Sequence, residues 1–199
     1  SIATFLLLLV GQRVTLTQRL LVKESLQIDK IGGLVKLATQ IVLVATGIQL
    51  LGFIGLTIWF SLSYPLEEAL WQGASHAISA FNNAGFVFLP DGERMEAFQT
   101  DKIFLGILTL LIFLGAISYW VLVDVMKRHK FSLYTLNTKL VLVMTFALIV
   151  IGALFFFASE YTNEKTIGIL PLGDKIAVSL FESISGRTAG FSTVDSVSY

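Results

Sequence analysis

The strongest constraint on the fold of this chain comes from three long apolar runs: Ile41–Phe60, Ile103–Val125 and Leu140–Ala158. A helix needs about 20 apolar residues to cross a bilayer. In lipid, only helices and closed barrels satisfy every backbone polar group. The composition agrees, because 55% of the 199 residues are hydrophobic and 14% are charged, whereas soluble domains carry about 25% charged residues. We therefore predict an all-α integral membrane protein that passes the membrane several times.

Two further apolar segments are too short to cross. The first follows Pro65 and runs to Phe81, and the second is predicted as a helix over Lys175–Ser185 with Asp174 as its N-cap. Short apolar segments of this kind are typical of re-entrant helices. Each leads into the tripeptide Ala-Gly-Phe, and a shift of 105 residues places Gly85 on Gly190. The sequence thus predicts a tandem repeat of span, re-entrant pore helix, glycine-containing loop and span, as in potassium channels.

The duplicated loops contain the candidate site. Glycine reaches backbone conformations with φ > 0, which lets successive carbonyls turn toward one point. Rings of backbone carbonyls can replace the hydration shell of a cation. We predict two walls of an ion-selectivity filter, formed mainly by the backbone carbonyls of Asn83, Ala84, Gly85, Phe86, Thr188, Ala189, Gly190 and Phe191.

Ordinary structural roles are the alternative for these residues. The two glycines could be helix C-caps, a role that can coexist with a filter. Asn83 and Thr188 could be caps or could support the ion with their side chains, and Phe86 and Phe191 are expected to pack behind the filter rather than to contact the ion.

Charge indicates which ion such a filter would take. Residues 82–88 and 187–192 contain no Asp or Glu, and the C-terminus of each short helix carries about −0.5 charge. This combination argues against a calcium-type acidic ring and favours a monovalent cation, potassium or sodium. Arg187 is the exception, and because its charge would repel a cation on the axis, we expect its side chain to turn toward Glu182 or Asp195.

Composition excludes other functions. The chain has no cysteine and only two histidines, and it has no phosphate-binding loop, so we predict neither an enzyme nor an organic cofactor. The formal net charge is zero, which gives no basic field for nucleic acid.

The distribution of charge predicts orientation. Residues 11–36 contain five Lys and Arg and residues 125–140 contain four, with two acids and none respectively. Residues 61–102 carry six acids against two bases. Under the positive-inside rule, the links 11–36 and 125–140 face the cytoplasm. Both glycine-containing loops then face the extracellular side.

Three features together resemble the Trk/Ktr/HKT potassium transporter superfamily, and the Ktr membrane subunit of bacteria most closely. They are the order of span, pore loop and span, the loops Phe81-Asn-Asn-Ala-Gly-Phe86 and Gly186-Arg-Thr-Ala-Gly-Phe191, and the connector Gln18-Arg-Leu-Leu-Val-Lys-Glu-Ser25. The resemblance implies four repeats, of which this chain matches the middle. The implied parts are the end of the outer span of repeat one (1–10), a cytoplasmic connector (11–36), the second repeat (37–128), a cytoplasmic link (129–136) and the first half of repeat three (137–199).

The same resemblance implies potassium uptake across the plasma membrane as part of a multi-subunit transporter. The expected partners are the lipid bilayer, a second copy of the subunit in a homodimer, and a cytoplasmic nucleotide-binding regulatory ring. Two alternatives remain open: a sodium-permeable relative, and a non-conducting membrane scaffold or sensor domain that kept the fold.

Overall fold

A computed structural model describes residues 34–89 and 94–194, with side chains from residue 39 onward in those ranges. The interpretations of residues 1–33 and of Asp195 lie outside the described residues. The described helices are α1 (Leu34–Phe60), α2 (Leu66–Phe81), α3 (Lys102–Ala116), α4 (Tyr119–Arg128), α5 (Leu136–Glu160) and α6 (Leu172–Thr188), with 3₁₀ turns at Met95–Phe98 and Phe131–Leu133. The chain divides into two units between Ile48 and Gln49, and the packing described below lies within residues 49–194.

Two helices are long and apolar enough to cross a membrane within the described part of the chain. They are Thr39–Phe60, which belongs to α1, and Leu136–Glu160, which is α5. Most of their side chains are not buried inside the protein, as Leu51 and Phe155 illustrate with 72% and 75% exposure. The first and third predicted spans are therefore confirmed as helices of membrane-spanning length.

The second predicted span, Ile103–Val125, is not one unbroken helix. Helix α3 ends at Ala116, α4 begins at Tyr119, and the two axes differ by 102°. Ile117 and Ser118 have extended backbone angles, with ψ of 137° at both residues, which interrupts the helical hydrogen bonds. The sequence hides this break, because residues on both sides of it are apolar or small. If the bent pair forms one span, the described residues contain three.

The C-terminal end of α3 lies directly against the C-terminal end of α2. A Cβ atom on Gly115 would overlap the carbonyl oxygen of Phe81, the last residue of α2. Only glycine allows this approach, because any larger residue would push the two helix ends apart. The C-terminal ends of α2 and α3 are therefore held together by backbone contact.

Hydrogen bonds fix the connection between α4 and α5. Asp124 accepts from the backbone N–H of Thr135 at 2.8 Å and pairs with Arg128 at 2.8 Å. Thr135 is the N-cap of α5, and its hydroxyl accepts from the N–H of Thr138. This network satisfies free donors at the start of α5 and ties α4 to it.

The two short helices are present but start and end differently from the prediction. Helix α6 begins after Pro171 and extends to Thr188, so the prediction that Asp174 caps a helix over Lys175–Ser185 is wrong. Asp174 lies in the first turn of α6 and pairs with Lys102 of α3 at 2.7 Å. With 16 and 17 residues, α2 and α6 are about 24–26 Å long, which is less than the roughly 30 Å of the bilayer core.

Helix α3 packs against both short helices, and α6 also packs against α5. Small residues permit close approach of α5 and α6, since the hydroxyl of Ser183 on α6 donates to the carbonyl of Ile149 at 2.8 Å. At the C-terminal end of α1, Trp59 packs against Phe104 of α3 with ring centroids 4.6 Å apart. Both short helices are thus packed against longer helices, α2 against α3 and α6 against α3 and α5.

Candidate functional site

The two Ala-Gly-Phe stretches, here called the first stretch (residues 82–88) and the second stretch (residues 187–192), meet in the structure. Gly85 lies directly against the second stretch, because a Cβ atom on it would overlap the carbonyl oxygen of Ala189. The hydroxyl of Thr188 donates to the side-chain oxygen of Asn83 at 2.9 Å. Backbone and side-chain contacts therefore join two segments that the sequence separates by about half the chain.

Both glycines have the positive φ that favours this residue. The φ angles are 71° at Gly85 and 77° at Gly190. Asn83 also has a positive φ, of 53°, which asparagine tolerates better than most residues. Gly190 has open space around its Cα, so only its backbone conformation favours glycine, whereas at Gly85 space and conformation both do.

A serine on each short helix holds the stretch that follows it. Ser79 donates its hydroxyl to the carbonyl of Phe86 at 2.9 Å, and Ser185 donates to the carbonyl of Phe191 at 2.6 Å. The two stretches therefore fold back over their helices in the same way. The sequence pairs Ile78-Ser79 with Ile184-Ser185, but the hydroxyl contacts depend on a fold that the pairing alone does not reveal.

Glu182 holds the second stretch at another point. Its carboxylate accepts from the N–H of Thr193 at 2.7 Å, from the Thr193 hydroxyl at 2.9 Å and from the Ser192 hydroxyl at 3.2 Å. The expected contact between Arg187 and Glu182 is wrong. Among the described residues, Arg187 makes no ion pair and its Nε is buried without a hydrogen-bond partner.

The two phenylalanines differ. Phe191 is 1% exposed and packs in the interior as expected, whereas Phe86 is 63% exposed. The expectation of packing therefore holds for Phe191 and fails for Phe86 within the described chain. Ala84, Thr188 and Gly190 also remain exposed, so much of the backbone where the stretches meet is accessible from outside.

This arrangement offers oxygen atoms to a cation without a fixed negative charge in either stretch. Helices α2 and α6 end at Phe81 and Thr188, so the negative ends of two helix dipoles lie next to the stretches. Within the described residues, no group of three or more His, Cys, Asp or Glu could hold a metal ion. The chemistry available here is weak coordination by backbone carbonyls, with the Thr188 hydroxyl and the Asn83 side chain beside them.

Helices of bilayer length place this chain among helical membrane proteins. The chain belongs to the TrkH family of cation transport proteins, which it matches over residues 1–198. A cation transport family is not an enzyme class. The match confirms the family to which the sequence resemblance pointed.

The similar proteins include two named Ktr system potassium uptake protein B. The chain is 36% identical to that of Bacillus subtilis (strain 168) over 98% of its own length and 43% of the relative, and 32% identical to that of Vibrio alginolyticus over the same shares. It is 29% identical to the potassium/sodium uptake protein NtpJ of Enterococcus hirae, over 92% of this chain and 40% of the relative. The chain thus spans less than half the length of these relatives.

Proposed function

We propose that the first and second stretches are two walls of a potassium-selective filter and that the complete protein takes up potassium across the plasma membrane. The observation that carries this proposal is the contact of Gly85 with the Ala189 carbonyl, with both glycines at positive φ. This geometry puts the backbones of the two stretches in contact, which supports a shared role in binding one ion. The names of the relatives, which are potassium uptake proteins, support the choice of ion.

The carbonyls of Asn83–Phe86 and Thr188–Phe191 are the proposed ligands. Those of Phe86 and Phe191 also accept from Ser79 and Ser185, so the carbonyls that precede them are the main candidates. They would replace water around the ion as it passes. Because neither stretch contains Asp or Glu, attraction comes from backbone dipoles and from the ends of α2 and α6. Binding of this strength lets a monovalent ion leave as readily as it enters.

Two walls do not surround an ion, so the remaining walls must come from elsewhere in the complete protein. The family resemblance implies four repeats, with this chain supplying repeat two (37–128) and the first half of repeat three (137–199). In this arrangement the two stretches open to the extracellular side and the link 125–140 faces the cytoplasm. A homodimer and a cytoplasmic nucleotide-binding ring belong to the same proposal, and the naming of two relatives as parts of a Ktr system agrees with a multi-subunit assembly.

Sodium permeation is a second candidate because of one relative. The Enterococcus hirae protein is named for potassium and sodium uptake. Carbonyl filters separate the two ions by small differences in site size or dipole field. A ratio of potassium to sodium uptake close to one in the wild-type protein would favour this candidate.

Gly190→Ser tests the filter in the complete protein. Gly190 has open space but a φ of 77°, so serine would act through backbone conformation, at a cost of about 1–2 kcal/mol. We expect the half-saturating rubidium concentration to rise about tenfold and the uptake ratio of rubidium to sodium to fall. The readouts are uptake against concentration in liposomes and size-exclusion chromatography for assembly.

Gly186→Ser is the matched control. Gly186 lies four residues earlier, in α6, also has open space around its Cα, and has no positive φ. We expect this variant to keep wild-type affinity and selectivity. Wild-type transport by an assembled Gly190→Ser protein would remove Gly190 from the filter, and equal losses in both variants would indicate general disturbance of α6.

A further inference from the structure

One face of α6 holds the second stretch at two points. Glu182 and Ser185 are three residues apart, so they lie on the same side of the helix. Ser185 binds the carbonyl of Phe191, and Glu182 binds Thr193, two residues further along the chain. Glu182 is 8% exposed and Thr193 is fully buried. The chain leaving Gly190 is therefore fixed by a buried carboxylate as well as by a hydroxyl.

The position on α2 that corresponds to Glu182 holds a different residue. The offset that places Ser79 on Ser185 places His76 on Glu182. His76 is fully buried, and its Nδ1 lies 2.9 Å from the carbonyl of Gln72 on its own helix. Its Nε2 has no hydrogen-bond partner among the described residues. The imidazole therefore makes no such hydrogen bond to the chain that follows the first stretch.

The residues that follow Ala-Gly-Phe in the two stretches differ in the same sense. Val87 and Phe88 stand where the second stretch continues with Ser192 and Thr193. Val87 and Phe88 are 36% and 50% exposed, while Thr193 is buried. Their apolar side chains have no donors for a carboxylate. The hydrogen bonds of Glu182 are thus specific to one of the two walls.

We propose, on the basis of the function proposed above, that Glu182 is a positioning residue that sets the direction of the ion-facing carbonyls in the second stretch. It does so by fixing Ser192 and Thr193, which immediately follow Phe191. It contacts no ion itself. A carboxylate that accepts several hydrogen bonds holds its donors more firmly than a neutral acceptor does, so the second stretch has less freedom to adjust to an ion of the wrong size.

Three substitutions in the complete protein separate position from charge. Glu182→Leu removes all acceptors and should lower the rubidium-to-sodium uptake ratio about threefold to tenfold. Glu182→Gln keeps one oxygen for Thr193 and should stay closer to wild type than the leucine variant. Thr193→Val removes one hydroxyl donor but keeps the backbone N–H, and we expect about a threefold fall in the ratio.

The pair Glu160 and Thr166 provides a matched control. The Thr166 hydroxyl donates to Glu160 at 2.9 Å, the same length as the bond between Thr193 and Glu182, and both partners are buried. This pair lies at the C-terminal end of α5, outside both stretches. Glu160→Leu and Thr166→Val should lower thermal stability in detergent without changing the uptake ratio.

The outcomes separate this inference from the proposed filter. Wild-type selectivity in assembled Glu182→Leu would overturn the role of Glu182 and leave the filter intact. If the leucine variant does not assemble, unchanged selectivity in Thr193→Val would overturn it instead. If the uptake ratio falls as far in the glutamine variant as in the leucine variant, the effect comes from the charge of Glu182 and not from its hydrogen bonds, which overturns the positioning role. An equal fall in Glu160→Leu would assign the effect to general packing and would also overturn it. Absence of selective uptake by the wild-type protein would remove both proposals.

Discussion

Thr188 donates its side-chain hydroxyl to the side-chain oxygen of Asn83 at 2.9 Å, although the two residues are 105 positions apart. They occupy the same place in the two Ala-Gly-Phe stretches. Asn83 has a φ of 53°, and its side-chain amide also donates to the carbonyl of Phe81 at 3.3 Å. Equivalent positions of the two repeats therefore contact each other directly.

This contact predicts coupling between the two residues in ion binding. In the complete protein, Thr188→Val and Asn83→Gly each remove the hydrogen bond, and glycine keeps the positive φ of position 83. Each should raise the half-saturating rubidium concentration about threefold. The double variant should resemble the more affected single variant, because one shared interaction is lost only once.

Asn82→Ala is the control for this cycle. The Asn82 amide donates to the carbonyl of Ile78 on its own helix, so its removal leaves the contact between the stretches in place. We expect little change in rubidium affinity. Fully additive effects of Thr188→Val and Asn83→Gly would show that the hydrogen bond does not couple the stretches.

The contact of α3 with the end of α2 predicts different tolerance at two glycines of one helix. Gly115→Ala should lower the free energy of unfolding by about 1–3 kcal/mol, because the added methyl group overlaps the Phe81 carbonyl and forces the helices apart. Gly106→Ala meets no atom within 4 Å and should be neutral or stabilising by up to about 1 kcal/mol. Thermal unfolding in detergent, followed by size-exclusion chromatography, measures both. Equal melting temperatures would contradict the close contact at Gly115.

The basic end of α4 predicts where a cytoplasmic partner docks. Lys127 and Lys130 are exposed, whereas Arg128 pairs with Asp124 and donates to the carbonyl of Leu133. Replacing both lysines with alanine should weaken co-purification of the proposed regulatory ring, most strongly at low salt, where exposed charges are least screened. Arg128 stays unchanged in this test because its loss would also disturb the connection between α4 and α5.

Lys165→Ala is the control for partner docking. Lys165 is equally exposed but belongs to the segment for which charge predicts the extracellular side. It should leave co-purification unchanged. Retention of the partner by the double lysine variant across a salt series would exclude this surface.

Features set by neighbouring residues could be predicted from the sequence. Asp101 directly precedes an apolar run, where aspartate is a favoured N-cap, and its carboxylate accepts from the N–H groups of Ile103 and Phe104 at 3.0 and 2.9 Å. Spans α1 and α5 follow from hydropathy in the same local way. The bend after Ala116 could not be predicted, because apolar composition specifies burial in lipid but not the direction of a helix.

The candidate site could likewise be predicted only in part from the sequence. Gly85 and Gly190 could be found because their motif is repeated, and their positive φ agrees with the reason for choosing them. Opposite charge led us to expect that Arg187 turns toward Glu182 or Asp195, and the contact with Glu182 is absent. Its actual donors belong to residues 192 and 193, and only the return of the chain over α6 brings them within reach.

His76 and Glu182 occupy equivalent positions on α2 and α6, so the two repeats are not chemically alike at this place. The two stretches follow similar backbone paths, yet a carboxylate stands behind one and an imidazole behind the other. A cation in the proposed filter would therefore experience a different field from each of these two stretches. The two copies of the duplicated motif are thus chemically inequivalent, and each can change under mutation without its counterpart.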